Sequence, residues 1–206
     1  MQSDNESAAW EWQIKADEGA TMRRAYKALD RLIDLLNKIE LKEWIDSKAF
    51  TASKELLIQS TDDLDKIEPI NNSGQLYYRL VAYMQLAEIE HVNPILDNET
   101  LTIIKTGTDL DANQKLVRLH AQRLTAYTAL ADAYQTFPLE MFPGDINYAA
   151  GANYKHTVTG NKTLFYKERA QSTALALQNA YQALKGYEQT YSLPDNSDTS
   201  KKFINL

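Results

Sequence analysis

Two stretches of the sequence place carboxylate and imidazole groups at spacings that metal sites use. Glu88 and His91 are three residues apart, the spacing at which one helix offers two ligands to a di-iron bundle. Such a site needs a second Glu-x-x-His pair, and neither His120 nor His156 has a glutamate three residues before it. A surface or capping role for His91 is therefore the better interpretation, and no metal is predicted there.

The second stretch, residues 109–113, begins like a calcium-binding loop. Such a loop requires glycine at its sixth position and glutamate at its twelfth, where this chain has Gln114 and His120. The match fails where the geometry of the loop is strictest. Asp111 followed by Gln114 instead resembles a capping box that opens a helix.

The motifs of nucleophilic hydrolysis and of phosphate or dinucleotide binding are missing from the sequence. It contains no Gly-x-Ser-x-Gly elbow, no Gly-Lys-Ser/Thr phosphate loop and no Gly-x-Gly-x-x-Gly turn. With 3 histidines and no cysteine, the chain has few candidates for a nucleophile and its base. We therefore predict no catalytic residue, cofactor or metal ligand, and a pair of buried carboxylates stays open as the one route to an enzyme.

The composition indicates a globular protein that neither binds nucleic acid nor inserts into a membrane. Of the 206 residues, 44% are hydrophobic and 24% are charged, and 28 acidic residues outnumber 22 basic ones. Lysine and arginine are dispersed, whereas a nucleic-acid surface needs them clustered. No apolar run reaches the roughly 18 to 20 residues of a membrane span. Only 7 glycines and 5 prolines interrupt a chain rich in helix formers, which favours an all-α fold.

The N-terminal seven residues bear on where the protein is found. They are polar and acidic, unlike a signal peptide, and the absence of cysteine is compatible with either redox environment. We expect a cytoplasmic protein, or part of an assembly made there, unless a leader was removed from the chain.

Apolar residues recur at helical spacing over most of the chain. This pattern predicts an antiparallel helical bundle of about five main helices. They are expected at residues 20–46, 51–68, 75–92, 111–137 and 163–191, with a shorter helix within 95–108. An aromatic N-terminal arm (1–18), set off by Gly19, precedes the bundle (19–191), and a C-terminal tail (192–206) follows it.

A short unit built on Ala-Tyr recurs in four of the predicted helices. Alanine lets two helix backbones approach closely, and tyrosine adds a large apolar ring with a hydroxyl that can find a partner. We therefore expect the four tyrosines to be largely buried and to face one another's helices. They are Tyr26, Tyr83, Tyr127 and Tyr181.

One long irregular loop, residues 138–162, separates the last two predicted helices. Loops of this length in a compact domain are usually functional or mobile, so this one is either a binding site or a cover over one end of the bundle. Large apolar residues in the loop and in the two ends of the chain are the candidates for an interface. They are Phe142, Tyr148, Tyr154, Trp10, Trp12, Phe203 and Ile204.

These observations favour a non-enzymatic structural or assembly protein that acts through protein–protein contacts, with a protein partner or by self-association. The alternative is a helical binding module, possibly extracytoplasmic, that recognises a peptide or small ligand through the 138–162 loop. The size of the protein in solution distinguishes the two, because an assembly component oligomerises or requires a partner.

Overall fold

The computed structural model describes residues 2–142 and 152–186, and this part of the chain is all-α, without a strand. The predicted fold class is confirmed, but the helices number eight rather than five. The α-helices are α1 (Gln2–Lys38), α2 (Lys42–Ile45), α3 (Lys48–Lys54), α4 (Thr61–Ile67), α5 (Gly74–Ala87), α6 (Asn98–Thr106), α7 (Ala112–Thr136) and α8 (Ala152–Leu184). A π-helical turn (Glu88–Val92) extends α5, and a 3-10 turn (Leu139–Met141) follows α7.

The predicted helix at 51–68 is two helices, α3 and α4, joined by a buried connector. Leu56, Leu57 and Ile58 are consecutive and all buried. Three neighbouring residues on a helix point in directions roughly 100° apart, so one helix could not bury all of them against one core. The chain leaves the helix instead, and Ser60 starts α4 by accepting a hydrogen bond from the backbone N–H of Asp63 at 3.1 Å.

The sequence suggested that the N-terminal segment ends at Gly19, but it does not. Helix α1 is continuous for 37 residues and passes through that glycine. One glycine inside a helix costs about 1 kcal/mol relative to alanine, which a helix of this length accommodates. The residues predicted as a separate arm therefore belong to the same rod as the first bundle helix.

Helices α7 and α8 form the centre of the bundle and run antiparallel. Lys162 near the start of α8 lies over the ring of Tyr134 near the end of α7, 6.0 Å from the ring centroid. Further along α8, the guanidinium of Arg169 lies 5.2 Å from the ring centroid of Tyr127, which precedes Tyr134 on α7. The contacts therefore advance along α8 as they go back along α7. The capping box predicted from Asp111 and Gln114 is present at the start of α7.

Two clusters of buried side chains form the core. The larger joins α4, α5, α7 and the first half of α8, and includes Leu64, Leu76, Leu80, Met84, Leu130 and Tyr134. The smaller lies towards the end of α8 and includes Val92, Ile104, Val117, Leu124 and Leu177. None of the helices in the described ranges is both long and apolar enough to cross a membrane.

The irregular segment between α7 and α8 is shorter than predicted. The 3-10 turn takes up residues 139–141, and α8 begins at Ala152, inside the stretch expected to be a loop. Residues 143–151 lie outside the described part. At its other end α8 stops at Leu184, before the predicted end at residue 191, and Gly186 follows with φ of +74°, a value that glycine adopts without a Cβ penalty.

The expectation that four tyrosines pack against one another is largely wrong. Tyr127 is buried, but Tyr26, Tyr83 and Tyr181 are only partly buried at the edges of the two clusters. Each has different neighbours: Tyr83 meets Phe137 edge-on, with ring centroids 5.2 Å apart, whereas Tyr181 donates a hydrogen bond to Asp97. Local similarity of the four units therefore does not reflect a common packing site.

Candidate protein–protein interface

Helix α1 carries a row of large apolar side chains that are exposed along almost its whole length. Their exposed fractions range from 41% to 69%. We call this set the apolar face of α1. Its members are Trp10, Ile14, Met22, Leu29, Leu32, Leu35 and Ile39, the last in the turn just after the helix.

The apolar face and the bundle lie on different sides of α1. At roughly 100° per residue, its members fall within an arc of about 140°. The residues that meet the bundle, Tyr26, Asp30, Ile33 and Asn37, fall on an arc centred about 120° away. No described side chain of α1 is fully buried, and inside the arc of the apolar face Leu36 is half-buried. Helix α1 therefore meets the bundle mainly along one side.

Asp30 fixes α1 to the N-terminus of α5. Its Oδ1 atom accepts hydrogen bonds from Ser73 Oγ at 3.0 Å and from the backbone N–H of Gln75 at 2.9 Å. Backbone N–H groups at a helix N-terminus lack partners within their own helix and carry partial positive charge. The Asp30 carboxylate supplies both an acceptor and a negative charge, so it holds α1 in one register against α5.

A close approach of the Ile33 side chain to the α5 backbone reinforces this register. A Cβ atom at Gly74 would lie 2.8 Å from Ile33 Cγ2, so only glycine allows α1 to come this near to the first turn of α5. Beyond the end of α1, Trp44 donates a hydrogen bond to Asn37 Oδ1 at 2.7 Å and packs edge-on against Tyr78. These contacts anchor the C-terminal half of α1.

Among the side chains of the N-terminal half of α1 that the structure describes, none forms a comparable anchor. Of its side chains that the structure describes before Gly19, all are exposed, including those of Trp10 and Ile14 at 69% and 63%. Residues as apolar as these gain nothing from contact with water, and large contiguous apolar patches on a soluble protein mark interaction sites. The apolar face is therefore the strongest candidate site in the described part of the chain.

Charges border and interrupt the apolar face unevenly. Asp17 and Glu18 are exposed towards the N-terminal end of the face. Arg24, Arg31 and Lys38 are exposed at seven-residue intervals along one edge of its C-terminal half. The face therefore has an acidic end and a basic end, which any partner has to match.

Phe142, one of the predicted interface residues, is buried in the larger cluster. Its ring stacks on Tyr134 with centroids 3.9 Å apart and planes 14° apart, and it lies 6.4 Å from the ring of Phe137. Gln75 reaches the same turn and donates a hydrogen bond to the Met141 carbonyl at 3.4 Å. This placement suits a cover over the end of the bundle better than a surface that recognises a partner.

The other predicted residues fall in different places. Trp10 belongs to the apolar face of α1. The side chains of Trp12 in α1 and Tyr154 in α8 lie outside the described part, as do the whole of Tyr148, Phe203 and Ile204. Their interface roles stay predictions.

The ion pair of the buried Glu88 with the half-buried Lys105 is the most chemically distinctive group outside α1. The carboxylate lies 2.5 Å from Lys105 Nζ and accepts a hydrogen bond from the backbone N–H of Leu57 at 2.6 Å. Burial raises the pKa of Glu88, while the bond from Leu57 and the ammonium of Lys105 oppose that rise. Lys105 also donates to the Glu55 carbonyl at 3.0 Å. All these bonds serve the connector at 55–60, so the pair organises structure.

A second polar cluster joins the end of α8 to the start of α6. Asp97 caps α6 by accepting from the Thr100 backbone N–H at 2.6 Å. Its other oxygen lies 2.7 Å from Lys185 Nζ and accepts from Tyr181 Oη at 2.5 Å. The bonds from Lys185, Tyr181 and Thr100 hold the pKa of the Asp97 carboxyl well below its usual range. This cluster also ties helices together.

Glu68 performs a similar task at the end of α4. One carboxylate oxygen accepts from Tyr166 Oη at 3.0 Å and the other from Arg169 Nη1 at 3.2 Å. The guanidinium of Arg169 also lies over the ring of Phe165, 4.6 Å from its centroid.

Among the described residues, no group of three or more His, Asp or Glu side chains could hold a metal ion.

The sequence contained the pattern of the apolar face but did not show whether this face points to the core or to solvent. The spacing of Met22, Leu29, Leu32 and Ile39 predicted an amphipathic helix, and amphipathic helices usually turn that stripe to the core. The available signal was continuity, because the stripe extends through Gly19 to Ile14 and Trp10. A stripe that is longer than the bundle helices beside it cannot be covered by them along its whole length.

Comparison with protein-family models, with curated proteins and with solved structures gives no significant match to this chain. The assignment of function therefore rests on the site itself.

Proposed function

We propose that this chain is a non-enzymatic assembly protein that works through protein–protein contact, and that the apolar face of α1 is its contact surface. A single observation carries the proposal: seven large apolar side chains lie exposed along one side of a helix whose other side is fixed to the bundle. Covering such side chains contributes about 25 cal/mol per Å² of apolar area removed from water.

The shape of the site supports protein contact rather than small-molecule binding. Small ligands bind in concave sites that cover most of their surface, whereas the apolar face is the convex side of a helix. A long convex apolar stripe fits against another helix or into a groove between helices. The partner is therefore a folded or helical protein surface.

The polar clusters support a role without catalysis. Glu88, Asp97 and Glu68 each direct their carboxylate oxygens to backbone N–H groups or side chains of neighbouring helices. A general acid or base has to reach a substrate within hydrogen-bond distance, and these groups are occupied by contacts that hold the fold. The alternative, a peptide or ligand site in the 138–162 loop, has less support, because Phe142 is buried in the core.

Site-specific photo-cross-linking in the cell that makes the protein tests the proposal. A photoreactive amino acid at Leu32 is expected to give a covalent adduct with a protein chain of defined mass. The same amino acid at Leu175, which is 60% exposed on α8, serves as the matched control and is expected to give none.

A second substitution on the same face makes the result specific. Leu29→Glu places a charge one turn away and is expected to abolish the adduct at position 32, because burying an unpaired charge is costly. Equal adduct yields at positions 32 and 175, or an adduct at 32 that Leu29→Glu leaves intact, would contradict the proposal.

A further inference from the structure

The charges of α1 are segregated along its length. Residues 2–18 contain five acidic side chains (Asp4, Glu6, Glu11, Asp17, Glu18) and one basic side chain, Lys15, which gives a net charge of −4. Residues 19–38 contain five basic side chains (Arg23, Arg24, Lys27, Arg31, Lys38) and two acidic ones (Asp30, Asp34), a net charge of +3. One continuous helix therefore has an acidic half and a basic half.

A helix of this kind is complementary to a second copy of itself turned end to end. We propose that the apolar face of α1 pairs with the same face of a second copy of this chain, with the two α1 helices antiparallel. This inference rests on the proposed function, since it names the partner of the same surface. The contact is isologous: if one residue of the first copy meets a second residue of the other copy, the same two residues also meet with the copies exchanged.

The apolar face itself indicates the position of the two-fold axis. Its ends are Trp10 and Ile39, and its midpoint lies between Arg24 and Ala25. An antiparallel pairing about that point brings Trp10 against Ile39 of the second copy, and Ile14 against Leu35. Ala25, which is small and exposed, lies beside the axis, where the two helix backbones approach most closely.

The same arrangement places opposite charges together at one edge of the contact. Asp17 and Arg31 lie on the same edge of the apolar face, because they are fourteen residues, close to four helical turns, apart. In the antiparallel pair Asp17 of each copy comes within one residue, about 1.5 Å along the helix axis, of the level of Arg31 of the other, so this ion pair forms twice. Electrostatic complementarity of this type fixes orientation and register.

Other occupants fit the face less well. A parallel pair would set the acidic halves side by side and the basic halves side by side, and like charges at a contact are unfavourable. A membrane surface attracts helices with a basic polar side, but the acidic half of α1 includes Asp17 and Glu18 beside the apolar residues. The antiparallel second copy satisfies both halves.

Disulfide trapping tests the arrangement directly, because the natural chain contains no cysteine. Ala25→Cys is expected to form a disulfide-linked dimer on mild oxidation, since the two copies of position 25 meet near the axis. Ile39→Cys alone is expected not to form a disulfide-linked dimer, because its two copies are on the order of 40 Å apart at 1.5 Å per residue. A mixture of Trp10→Cys and Ile39→Cys chains is expected to cross-link. Leu175→Cys is the control for random collision.

A charge exchange gives a second readout that does not depend on cysteine. Asp17→Arg and Arg31→Asp are each expected to weaken dimerisation about five-fold, because each removes two ion pairs and sets like charges together. The double variant is expected to return within about two-fold of the original chain. Far-ultraviolet circular dichroism checks that helix content is unchanged in each variant.

The outcomes separate this inference from the proposed function. Self-cross-linking of Ile39→Cys at the level of Ala25→Cys, or no restoration in the double variant, would overturn the antiparallel pairing. If the purified chain stays monomeric while position 32 still cross-links to another protein in the cell, this inference fails and the proposed function stands. If neither occurs, both fail; binding to phosphatidylcholine–phosphatidylglycerol vesicles that Leu32→Glu abolishes would then assign the face to a membrane instead.

Discussion

Asp30 in α1 accepts a hydrogen bond from Ser73 Oγ at 3.0 Å, and this bond joins α1 to the N-terminus of α5. The same carboxylate oxygen accepts from the backbone N–H of Gln75 at 2.9 Å. Because this anchor lies on one side of α1, it determines which side stays outward. The exposure of the apolar face is thus a consequence of a specific polar contact.

Removal of this anchor should release α1 without unfolding the bundle. Asp30→Ala leaves the N–H of Gln75 without its partner, and hydrogen bonds to charged groups contribute about 2 kcal/mol. We expect faster amide hydrogen exchange along the C-terminal half of α1 and a lower unfolding midpoint. Asp34→Ala is the matched control, because within the described residues Asp34 pairs with the exposed Lys38, a contact worth less than about 0.5 kcal/mol. Identical exchange in the two variants would show that Asp30 does not hold the helix.

The pair of the buried Glu88 and the half-buried Lys105 should matter more for stability than any surface charge. Glu88→Ala removes the acceptor of the Leu57 N–H and leaves Lys105 without its carboxylate, a change expected to cost about 3 kcal/mol. Glu90→Ala, in the same π-helical turn but exposed, should change the free energy of unfolding by less than about 0.5 kcal/mol. Urea denaturation measures both. A cost for Glu88→Ala no larger than for Glu90→Ala would contradict the structural role of the pair.

The cluster around Asp97 predicts a pH dependence with a defined sign. The folded-state pKa of this carboxyl lies below its ordinary value of 3.8, chiefly because of the bonds from Lys185 and Tyr181. The ionised group therefore stabilises the fold above about pH 4, and this contribution is lost as the pH falls through the lowered pKa. Asp97→Asn retains an acceptor for the cap of α6 but removes the charge.

We expect the original chain to have the higher urea midpoint at pH 7 and the difference from Asp97→Asn to shrink below pH 4. Tyr181→Phe should raise the Asp97 pKa, because it removes one of the hydrogen bonds that favour the carboxylate. A difference between the original chain and Asp97→Asn that stays constant from pH 7 to pH 3 would rule out the ionised carboxylate as its cause.

Phe142 tests whether the turn after α7 covers the core. Phe142→Ala deletes a buried ring that stacks on Tyr134, and such deletions cost about 3 kcal/mol or more. Phe165→Ala removes a ring of the same type that is partly exposed on α8 and should cost clearly less. Thermal unfolding compares the two. Unchanged stability in Phe142→Ala, together with lost partner binding, would instead make Phe142 an interface residue.

Much of the fold follows from local patterns in the sequence. The capping box of Asp111 and Gln114 was visible, because capping depends on residues three positions apart. The connector at 55–60 was not, since its burial depends on Glu88, Gln122 and Tyr77, which are distant in sequence and bond its backbone groups. Long-range polar contacts of this kind leave no periodic signal.

Only part of the candidate site could be predicted from the sequence. The apolar stripe of α1 could be read from the spacing of Leu29, Leu32 and Ile39, but which side of the helix meets the bundle is determined by Asp30 and Gly74. Neither residue has a distinctive pattern around it, and exposed and buried stripes look alike in sequence. Trp10 was predicted as an interface residue from its aromatic character, and it lies on the exposed face.

The mass of the purified chain in solution tests the central claim most directly. Sedimentation equilibrium over a range of concentrations should show a dimer for the original chain and for Leu175→Glu, but a monomer for Leu32→Glu, because only position 32 lies on the apolar face of α1. A monomer for all three chains, or a dimer that Leu32→Glu leaves unchanged, would contradict self-association through α1.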